Sequence, residues 1–311
     1  MEANVQRPLV VIVGPTASGK SDLALRAAET FSGEIVNCDA LQLYRGFNIG
    51  TAKTPPEARR GIPHHLFDVL DPQNSYSAGD YARAARETIA EIACRRRLPI
   101  VVGGTGFYLR ALLDGLPALP ARDETVRERL SQREQSRPGS LHRLLRRLEP
   151  SAAARIHAHD VQKLTRALEI RLLTRLALPA PSTARPLEGF RLCQIGLAPA
   201  RSLLVDAIAS RTRQMFQGGL LDEVRNLLAH GLSGAEKPFE SLGYKQVLAH
   251  LRGQISLEEA LSASEIETRQ YAKRQQTWFR RDGRVMWLTG FGWDPAVSET
   301  AIGVIRKFLS G

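Results

Sequence analysis

A glycine-rich segment near the N-terminus has the residue types and spacing of a phosphate-binding loop. It follows an apolar run and precedes a helical pattern. The backbone N–H groups of such a turn and the helix N-terminus bind anions, the lysine adds positive charge, and the final hydroxyl can bind Mg²⁺. The pattern predicts a phosphate or diphosphate ligand and does not specify ATP. The predicted diphosphate-binding residues are Gly14, Pro15, Thr16, Ala17, Ser18, Gly19, Lys20 and Ser21, with Ser21 as the predicted Mg²⁺ ligand.

A carboxylate follows the second apolar run of the chain. Asp39 comes after the run "GEIVNC" and opens the segment "DALQLY". The carboxyl end of a parallel strand beside a phosphate loop lies at the crevice where α/β sheets bind ligands. Asp39 could act next to the magnesium ligands, it could be a general base, or it could cap a turn. The residues alone leave these three roles open.

The third apolar run ends in glycines. Kinases and ATPases with this type of loop commonly carry a metal-binding Asp at the end of such a strand. Here "LPIVV" is followed by Gly103, Gly104, Thr105 and Gly106. Glycines allow backbone to approach a ligand closely, and Thr105 offers a hydroxyl at the same crevice, although a plain strand-to-helix turn would look the same.

The elements that must position these residues alternate between short apolar strands and longer helices. This alternation predicts an α/β fold with a P-loop NTPase-like parallel sheet and helices on both faces. Helical patterns are expected at 20–31 and 78–96, and the segment 39–77 is expected to be a long functional loop.

The middle of the chain shows helical patterns without a strand signal. It predicts an inserted all-helical subdomain at residues 120–189, closed by a turn-rich segment, within a catalytic core of residues 1–119 and 190–311. A strand-like run then returns the chain to the sheet. Helices at 200–217, 219–230 and 256–281 and a last strand, "RVMWLTG", complete the prediction.

Composition predicts a soluble protein, and the charge lies in two places. The chain has 311 residues, 43% of them hydrophobic, without an apolar run long enough to span a membrane. Its N-terminus offers no room for a cleavable signal, so we expect a cytoplasmic location.

The net charge is +11, and it arises from two stretches of the chain. Residues 121–190 contain 14 Lys and Arg against 8 Asp and Glu, and residues 269–284 contain 6 against 1. Two basic stretches indicate a polyanion-binding surface, although solvated helix faces would give the same pattern.

The ordered set of motifs resembles the tRNA dimethylallyltransferase (isopentenyl-diphosphate:tRNA isopentenyltransferase) family. The resemblance covers nearly the whole chain. A Cys/His pair after the last basic helix is absent, which is typical of the bacterial type, and Ala40 stands where the family commonly has Ser. The matching segments are "GPTASGKS" at 14–21, "DALQLY" at 39–44, "IGTAK" at 49–53, "PHHLFDVLDP" at 63–72, "VGGTGFYLRALL" at 102–113, "QKLTRALEI" at 162–170, "SLGYKQ" at 241–246 and "TRQYAKRQQTWFR" at 268–280.

The resemblance implies a reaction and a set of partners. The family transfers a dimethylallyl group from dimethylallyl diphosphate, with Mg²⁺, to the N6 amine of the adenosine 3′ of the anticodon in tRNAs that read codons beginning with U. By resemblance, Asp39 is the general base, and Thr105 and Arg211 lie near the leaving diphosphate. A monomer without a membrane partner is expected. The residues implied to hold the anticodon stem-loop are Asp39, Ala40, Leu41, Gln42, Gln162, Lys163, Leu164, Thr165, Arg166, Gly243, Tyr244, Lys245, Lys273, Arg274, Gln275, Trp278 and Arg280.

Three alternative functions remain open at this point. An isopentenyltransferase acting on a free adenine nucleotide would keep the fold, but it would need neither the helical insertion nor the basic C-terminal helix. An ATP-dependent kinase would use the same phosphate loop, but the acid that should end the third strand is missing. A non-enzymatic RNA-binding protein would explain the charge and leave the phosphate loop without a role.

Overall fold

The apolar runs of the sequence form one parallel sheet. The computed structural model describes residues 6–117, 119–178 and 184–311. Three stretches lie outside the described residues: 1–5, 118 and 179–183. The last of them belongs to the turn-rich segment predicted to close the insertion. In the described part, the strands are β1 (Arg7–Val13), β2 (Gly33–Asn37), β3 (His64–His65), β4 (Leu98–Val102), β5 (Phe190–Leu197) and β6 (Val285–Leu288).

All neighbouring strands pair in parallel, in the order β3-β2-β4-β1-β5-β6. The central strand β1 places Val11 opposite Val101 of β4 and opposite Gln194 of β5. The parallel sheet and its connecting helices confirm the predicted α/β class. The helices in the described part are α1 (Lys20–Phe31), α2 (Ala78–Cys94), α3 (Gly106–Leu113), α4 (Glu124–Ser136), α5 (Ser140–Leu148), α6 (Pro150–Ala153), α7 (Val161–Thr174), α8 (Arg201–Gln217), α9 (Leu220–Ala229), α10 (Tyr244–Leu251), α11 (Leu257–Phe279) and α12 (Pro295–Ser310).

The sheet is buried because its strands are apolar on both sides. Alternate residues of β1, β4 and β5 pack with Leu23 and Ala27 of α1 and with Ala301 and Ile305 of α12. The helix α2 contacts β2 and β4, and α3 packs against α2. Successive residues of a strand point to opposite faces, so a strand covered on both sides reads as a continuous apolar run.

Two parts of the larger unit differ from the sequence prediction. His64 and His65 form an edge strand paired with β2, where the sequence predicted only loop. A two-residue strand is too short to give a periodic signal. The short helix α10 was also missed, because its eight residues give little periodicity of their own. Its apolar face packs against the aromatic cluster around Phe47 and Phe239.

Contacts divide the chain into two compact units. One comprises Met1–Leu113 and Leu187–Gly311, and the other is Asp114–Pro186. The predicted borders lie a few residues away, at 119/120 and 189/190. The smaller unit contains α4 to α7 around a leucine core that includes Leu130, Leu141 and Leu168. Its buried Glu169 carboxylate accepts hydrogen bonds from the side chains of Arg127 and Arg166.

Candidate active site

The phosphate loop lies between β1 and α1. Its backbone turns through positive φ angles at Gly14 (148°), Ala17 (60°) and Gly19 (81°), and the turn ends at the first residue of α1. Glycine adopts these angles without steric cost, which explains two of the three positions. The loop therefore places the free N–H groups of a helix N-terminus next to a cavity, as an anion site requires.

The Lys20 side chain folds back over this loop. Its amine donates a hydrogen bond to the Pro15 carbonyl oxygen at 2.6 Å. Loss of hydration and the nearby Arg211 guanidinium lower the pKa of Lys20 from 10.5 to about 7, against the opposing effect of Asp39. A bound anion would favour the charged amine, because an opposite charge stabilises it.

Asp39 is held by the residues around it. Its N–H donates to Asn37 Oδ1 at 2.8 Å, and its Oδ1 accepts the Leu41 N–H at 2.9 Å. The Asn37 amide also donates to the carbonyl oxygens of Asp39 and Leu66. In the described part of the chain, Asp39 Oδ2 has no hydrogen-bond partner, so one carboxylate oxygen is left to accept a proton. Asp39 itself is half-buried and lines the cavity.

The Gly-Gly-Thr-Gly turn lies against the same segment. The Thr105 hydroxyl accepts the Ala40 N–H at 3.1 Å, and the Thr105 N–H donates to the Cys38 carbonyl oxygen at 3.1 Å. A Cβ on Gly103 would lie 2.1 Å from the Cys38 carbonyl oxygen. Glycine is therefore required at Gly103, because any side chain would push β4 away from the Asp39 segment.

Thr16 of the phosphate loop is held from two sides. Arg211 of α8 donates from Nη2 to the Thr16 hydroxyl. Gln275 of α11 accepts the Thr16 N–H at 2.7 Å, and its own amide donates to the Gly104 carbonyl oxygen at 3.0 Å. Loss of hydration lowers the pKa of Arg211 to about 10, again against the effect of Asp39. The structure thus brings Arg211 to the phosphate loop.

One cavity of about 430 Å³ joins these groups. The phosphate loop, Asp39 and Arg211 line its polar part, and Ile35, Phe67 and Val102 contribute apolar walls. A site with both kinds of lining can hold a charged group and a hydrocarbon chain together.

Trp293 also lines this cavity and was missed by the sequence analysis. Its indole packs on the phosphate loop, where a Cβ on Gly19 would lie 2.6 Å from the ring. The Gly292 N–H donates to the Ser18 carbonyl oxygen at 2.9 Å. The run Gly-Phe-Gly-Trp at 290–293 was the available signal, but nothing local connects it with a loop more than 270 residues earlier.

The segment 39–77 is fixed by buried polar contacts. Lys53 donates to Asp68 Oδ1 at 2.6 Å and to the Tyr44 carbonyl oxygen at 2.8 Å. Gln42, one of the residues implied to hold the anticodon stem-loop, donates to the Thr51 carbonyl oxygen at 3.0 Å and lines the cavity. This segment is therefore an ordered wall of the site.

Tyr244 and Glu223 support the same segment from α10 and α9. Glu223 accepts the backbone N–H groups of Asn48 and Ile49 at 3.1 and 2.8 Å and the Tyr244 hydroxyl at 2.5 Å. The Gly50 N–H donates to the Tyr244 oxygen at 3.1 Å. The Tyr244 side chain is fully buried, which differs from its predicted contact with RNA.

The other predicted RNA-binding residues fall into two groups. In the smaller unit, Gln162 and Lys163 are exposed, Thr165 is half-buried, Leu164 is a core residue, and Arg166 binds the Glu169 carboxylate at 2.6 Å. In the larger unit, the exposed residues are Lys273, Arg274 and Trp278 of α11 and Arg280 directly after it, and Lys245 pairs with Glu267 at 2.5 Å. Leu164, Gly243 and Gln275 are buried, so the structure differs from the prediction at these three positions as well.

Two features, a metal-binding cluster and a membrane-spanning helix, are absent from the described residues. No group of three or more His, Cys, Asp or Glu side chains is arranged there to bind a metal ion. No described helix combines the length and the hydropathy needed to cross a membrane.

Comparison with known proteins gives a consistent result. A sequence model described as IPP transferase matches residues 42–282. A tRNA dimethylallyltransferase of Solibacter usitatus is 56% identical over 305 residues, which cover 97% of this chain and 99% of the relative. The crystal structure of a tRNA isopentenylpyrophosphate transferase from Bacillus halodurans is 37% identical and superposes with a TM-score of 0.72, covering 98% and 96% of the two chains. The structure of a eukaryotic dimethylallyltransferase acting on tRNA is 27% identical, with a TM-score of 0.82 over 98% of this chain and 80% of the other. The match over most of the chain and the high identity to full-length relatives show that this chain belongs to the IPP transferase family.

Proposed function

We propose that this protein transfers a dimethylallyl group from dimethylallyl diphosphate to the exocyclic N6 of an adenosine in tRNA, 3′ of the anticodon. The observation that carries the proposal is a cavity lined together by the phosphate loop, Asp39 and apolar residues. The names of the relatives support the same donor and acceptor classes. A free-nucleotide acceptor is the other outcome that the experiment below distinguishes.

The reaction forms one bond and breaks another. The N6 lone pair attacks the allylic carbon, the carbon–oxygen bond to diphosphate breaks, and diphosphate leaves with the electron pair. The N6 proton passes to Asp39, whose Oδ1 is engaged by the Leu41 N–H and whose Oδ2 is free to accept it. Proton removal of this kind contributes about 10²- to 10⁴-fold to a rate.

Stabilisation of the departing diphosphate supplies the larger part of the rate. Negative charge grows on the diphosphate as the bond breaks, and fixed cations and N–H donors in a dry site stabilise it without reorganising. Lys20, Arg211 and the backbone of residues 17–21 are the groups available for this task. Thr105 orients the Asp39 segment by accepting the Ala40 N–H.

A magnesium ion fits the donor set of the loop. Mg²⁺ prefers hard oxygen ligands and is commonly bound through one protein oxygen, phosphate oxygens and water. The Ser21 hydroxyl, exposed in the first turn of α1, would hold the ion together with the diphosphate. When bound, the ion would neutralise charge on the leaving group.

RNA would bind through the exposed basic residues of the two units. Lys273 and Arg274 lie on α11, Arg280 follows its last residue, and Lys163 lies on α7. Cations on such surfaces bind phosphates, and the half-exposed indole of Trp278 could stack a base. The adenine must leave its stack to reach Asp39.

Mass spectrometry of the acceptor tests the proposal. The protein is incubated with Mg²⁺, dimethylallyl diphosphate and either unmodified tRNA or AMP, and the nucleosides are analysed. We expect prenylated adenosine from tRNA only. Asp39→Asn keeps the shape of the side chain and should lose at least about 10²-fold in single-turnover rate, because the general base is removed. Its tRNA dissociation constant should stay within a few-fold. Product from AMP alone would refute the tRNA acceptor, and an unchanged rate in Asp39→Asn would refute the general base.

A further inference from the structure

Gln275 belongs to the basic helix α11 but does not share its exposed face. Its neighbours Lys273 and Arg274 are exposed, whereas Gln275 is 5% exposed. Both ends of its amide are engaged by backbone groups: the carbonyl oxygen accepts the Thr16 N–H at 2.7 Å, and the NH₂ group donates to the Gly104 carbonyl oxygen at 3.0 Å. The side chain therefore has no free polar atom to offer a nucleic acid.

These two contacts join the two loops that carry the proposed chemistry. Thr16 belongs to the phosphate loop, and Gly104 precedes Thr105, whose hydroxyl accepts the Ala40 N–H beside Asp39. One buried amide thus connects the diphosphate site with the segment of the general base. In the sequence, Gln275 lies 259 residues after Thr16 and 171 residues after Gly104.

The backbone of Gly104 lies in close contact with the Gln275 side chain. A Cβ on Gly104 would lie 2.0 Å from the Gln275 amide nitrogen. The φ angle of Gly104 lies outside the left-handed region, so its backbone conformation is open to any residue. A side chain at this position would therefore have to displace the Gln275 amide.

From this arrangement we infer that Gln275 is a positioning residue, which holds the phosphate loop and the 103–105 turn at the separation that the transfer reaction needs. The inference rests on the proposed function. A leaving group and a base that act on the same reacting atoms must be placed within fractions of an ångström, and a displacement of about 1 Å can cost 10²-fold in rate. Gln275 does this from the buried side of a helix whose exposed side carries the proposed RNA contacts.

The first experiment separates this role from RNA binding. Gln275→Leu removes both hydrogen bonds at similar volume, and Ser264→Ala is the matched control, because it removes a buried hydrogen bond on the same helix, from Ser264 to the Ala260 carbonyl oxygen. We expect Gln275→Leu to reduce the single-turnover rate about 10- to 100-fold and to weaken binding of inorganic diphosphate about tenfold. Its tRNA dissociation constant should stay within about twofold. Ser264→Ala should keep the rate and both affinities.

The second experiment tests the contact between Gly104 and Gln275 directly. Gly104→Ala and Gln275→Ala should each lower the rate about as much as Gln275→Leu, because the new methyl group displaces the amide in the first and the amide is absent from the second. In the double variant Gly104→Ala with Gln275→Ala, the methyl group has room, so the two losses should not multiply. The cycle compares the rates and the thermal melting of the two single alanine variants and the double variant. It therefore gives a result even if Gln275→Leu folds poorly.

Several outcomes would overturn the inference. A loss of tRNA affinity equal to the loss of rate in Gln275→Leu would make Gln275 an RNA contact. Unchanged rate and diphosphate affinity would show that the bridge has no role, and multiplicative losses in the double variant would show that the contact is not shared. Failure of the unsubstituted protein to prenylate tRNA would instead refute the proposed function, and the inference with it.

Discussion

The pKa of Lys20 predicts an unusual pH dependence for binding of inorganic diphosphate. In the free protein this pKa is lowered to about 7, chiefly by loss of hydration and by Arg211. Bound diphosphate places negative charge beside the amine and should return its pKa toward the ordinary 10.5. Binding therefore takes up a proton on Lys20 at any pH between these two values. The affinity is highest when Lys20 is already protonated, below about pH 7, and falls as the pH rises above it.

The size of the effect follows from proton linkage. For a free pKa of about 7 and a bound pKa well above 9, raising the pH from about 6.5 to about 8.5 should weaken binding about 25-fold through Lys20 alone. Diphosphate itself titrates in this range, so the comparison needs a reference protein. Lys20→Arg supplies it, because a guanidinium stays charged throughout and the ligand titrates equally in both experiments.

Isothermal titration calorimetry at the two pH values, with Mg²⁺ at one fixed concentration, provides the measurement. The ratio of the two dissociation constants should be about 25 times larger for the unsubstituted protein than for Lys20→Arg. Repeating the titrations in buffers of different ionisation enthalpy should detect the proton taken up. Equal ratios in the two proteins, or tighter binding of the unsubstituted protein at the higher pH, would refute the lowered pKa of Lys20 in the free site.

Three further predictions address stability and RNA binding. Tyr244→Phe removes the hydroxyl that donates to Glu223 and accepts the Gly50 N–H, and should lower the free energy of unfolding by about 1–3 kcal/mol in urea titrations; an unchanged midpoint would contradict this role. Glu169→Ala leaves two arginines without their buried carboxylate and should cost about 3–5 kcal/mol by the same measurement. Changing both Lys273 and Arg280 to Gln should reduce the slope of log affinity against log salt for tRNA by about 1.5, measured by filter binding, and an unaltered slope would move the RNA away from α11.

Sequence patterns predicted the parts of this protein whose determinants are local. The buried runs of β1 and β4 are apolar on both faces, and the phosphate loop needs a fixed spacing of glycine, lysine and serine, so both can be recognised in a few consecutive residues. Asp39 could be placed at the crevice because it follows such a strand. These residues alone could not decide which of the three roles Asp39 has, because the role depends on which of its carboxylate oxygens is free.

The tertiary structure decided the contacts between distant segments. Gln275 carries the same local signal as its exposed neighbours on α11, and only the approach of Thr16 and Gly104 shows that its amide is buried and engaged. Tyr244 was assigned to RNA from a motif, whereas the structure packs it in the core under the 48–50 backbone.

Residue types and short-range spacing thus determined the longer strands, the anion loop and the candidate base. Which side chains hold these parts in register depended on chain segments brought together from more than 150 residues apart. The physical reason is that hydrogen bonds and close packing depend on distance in space, and a sequence pattern records only neighbours along the chain.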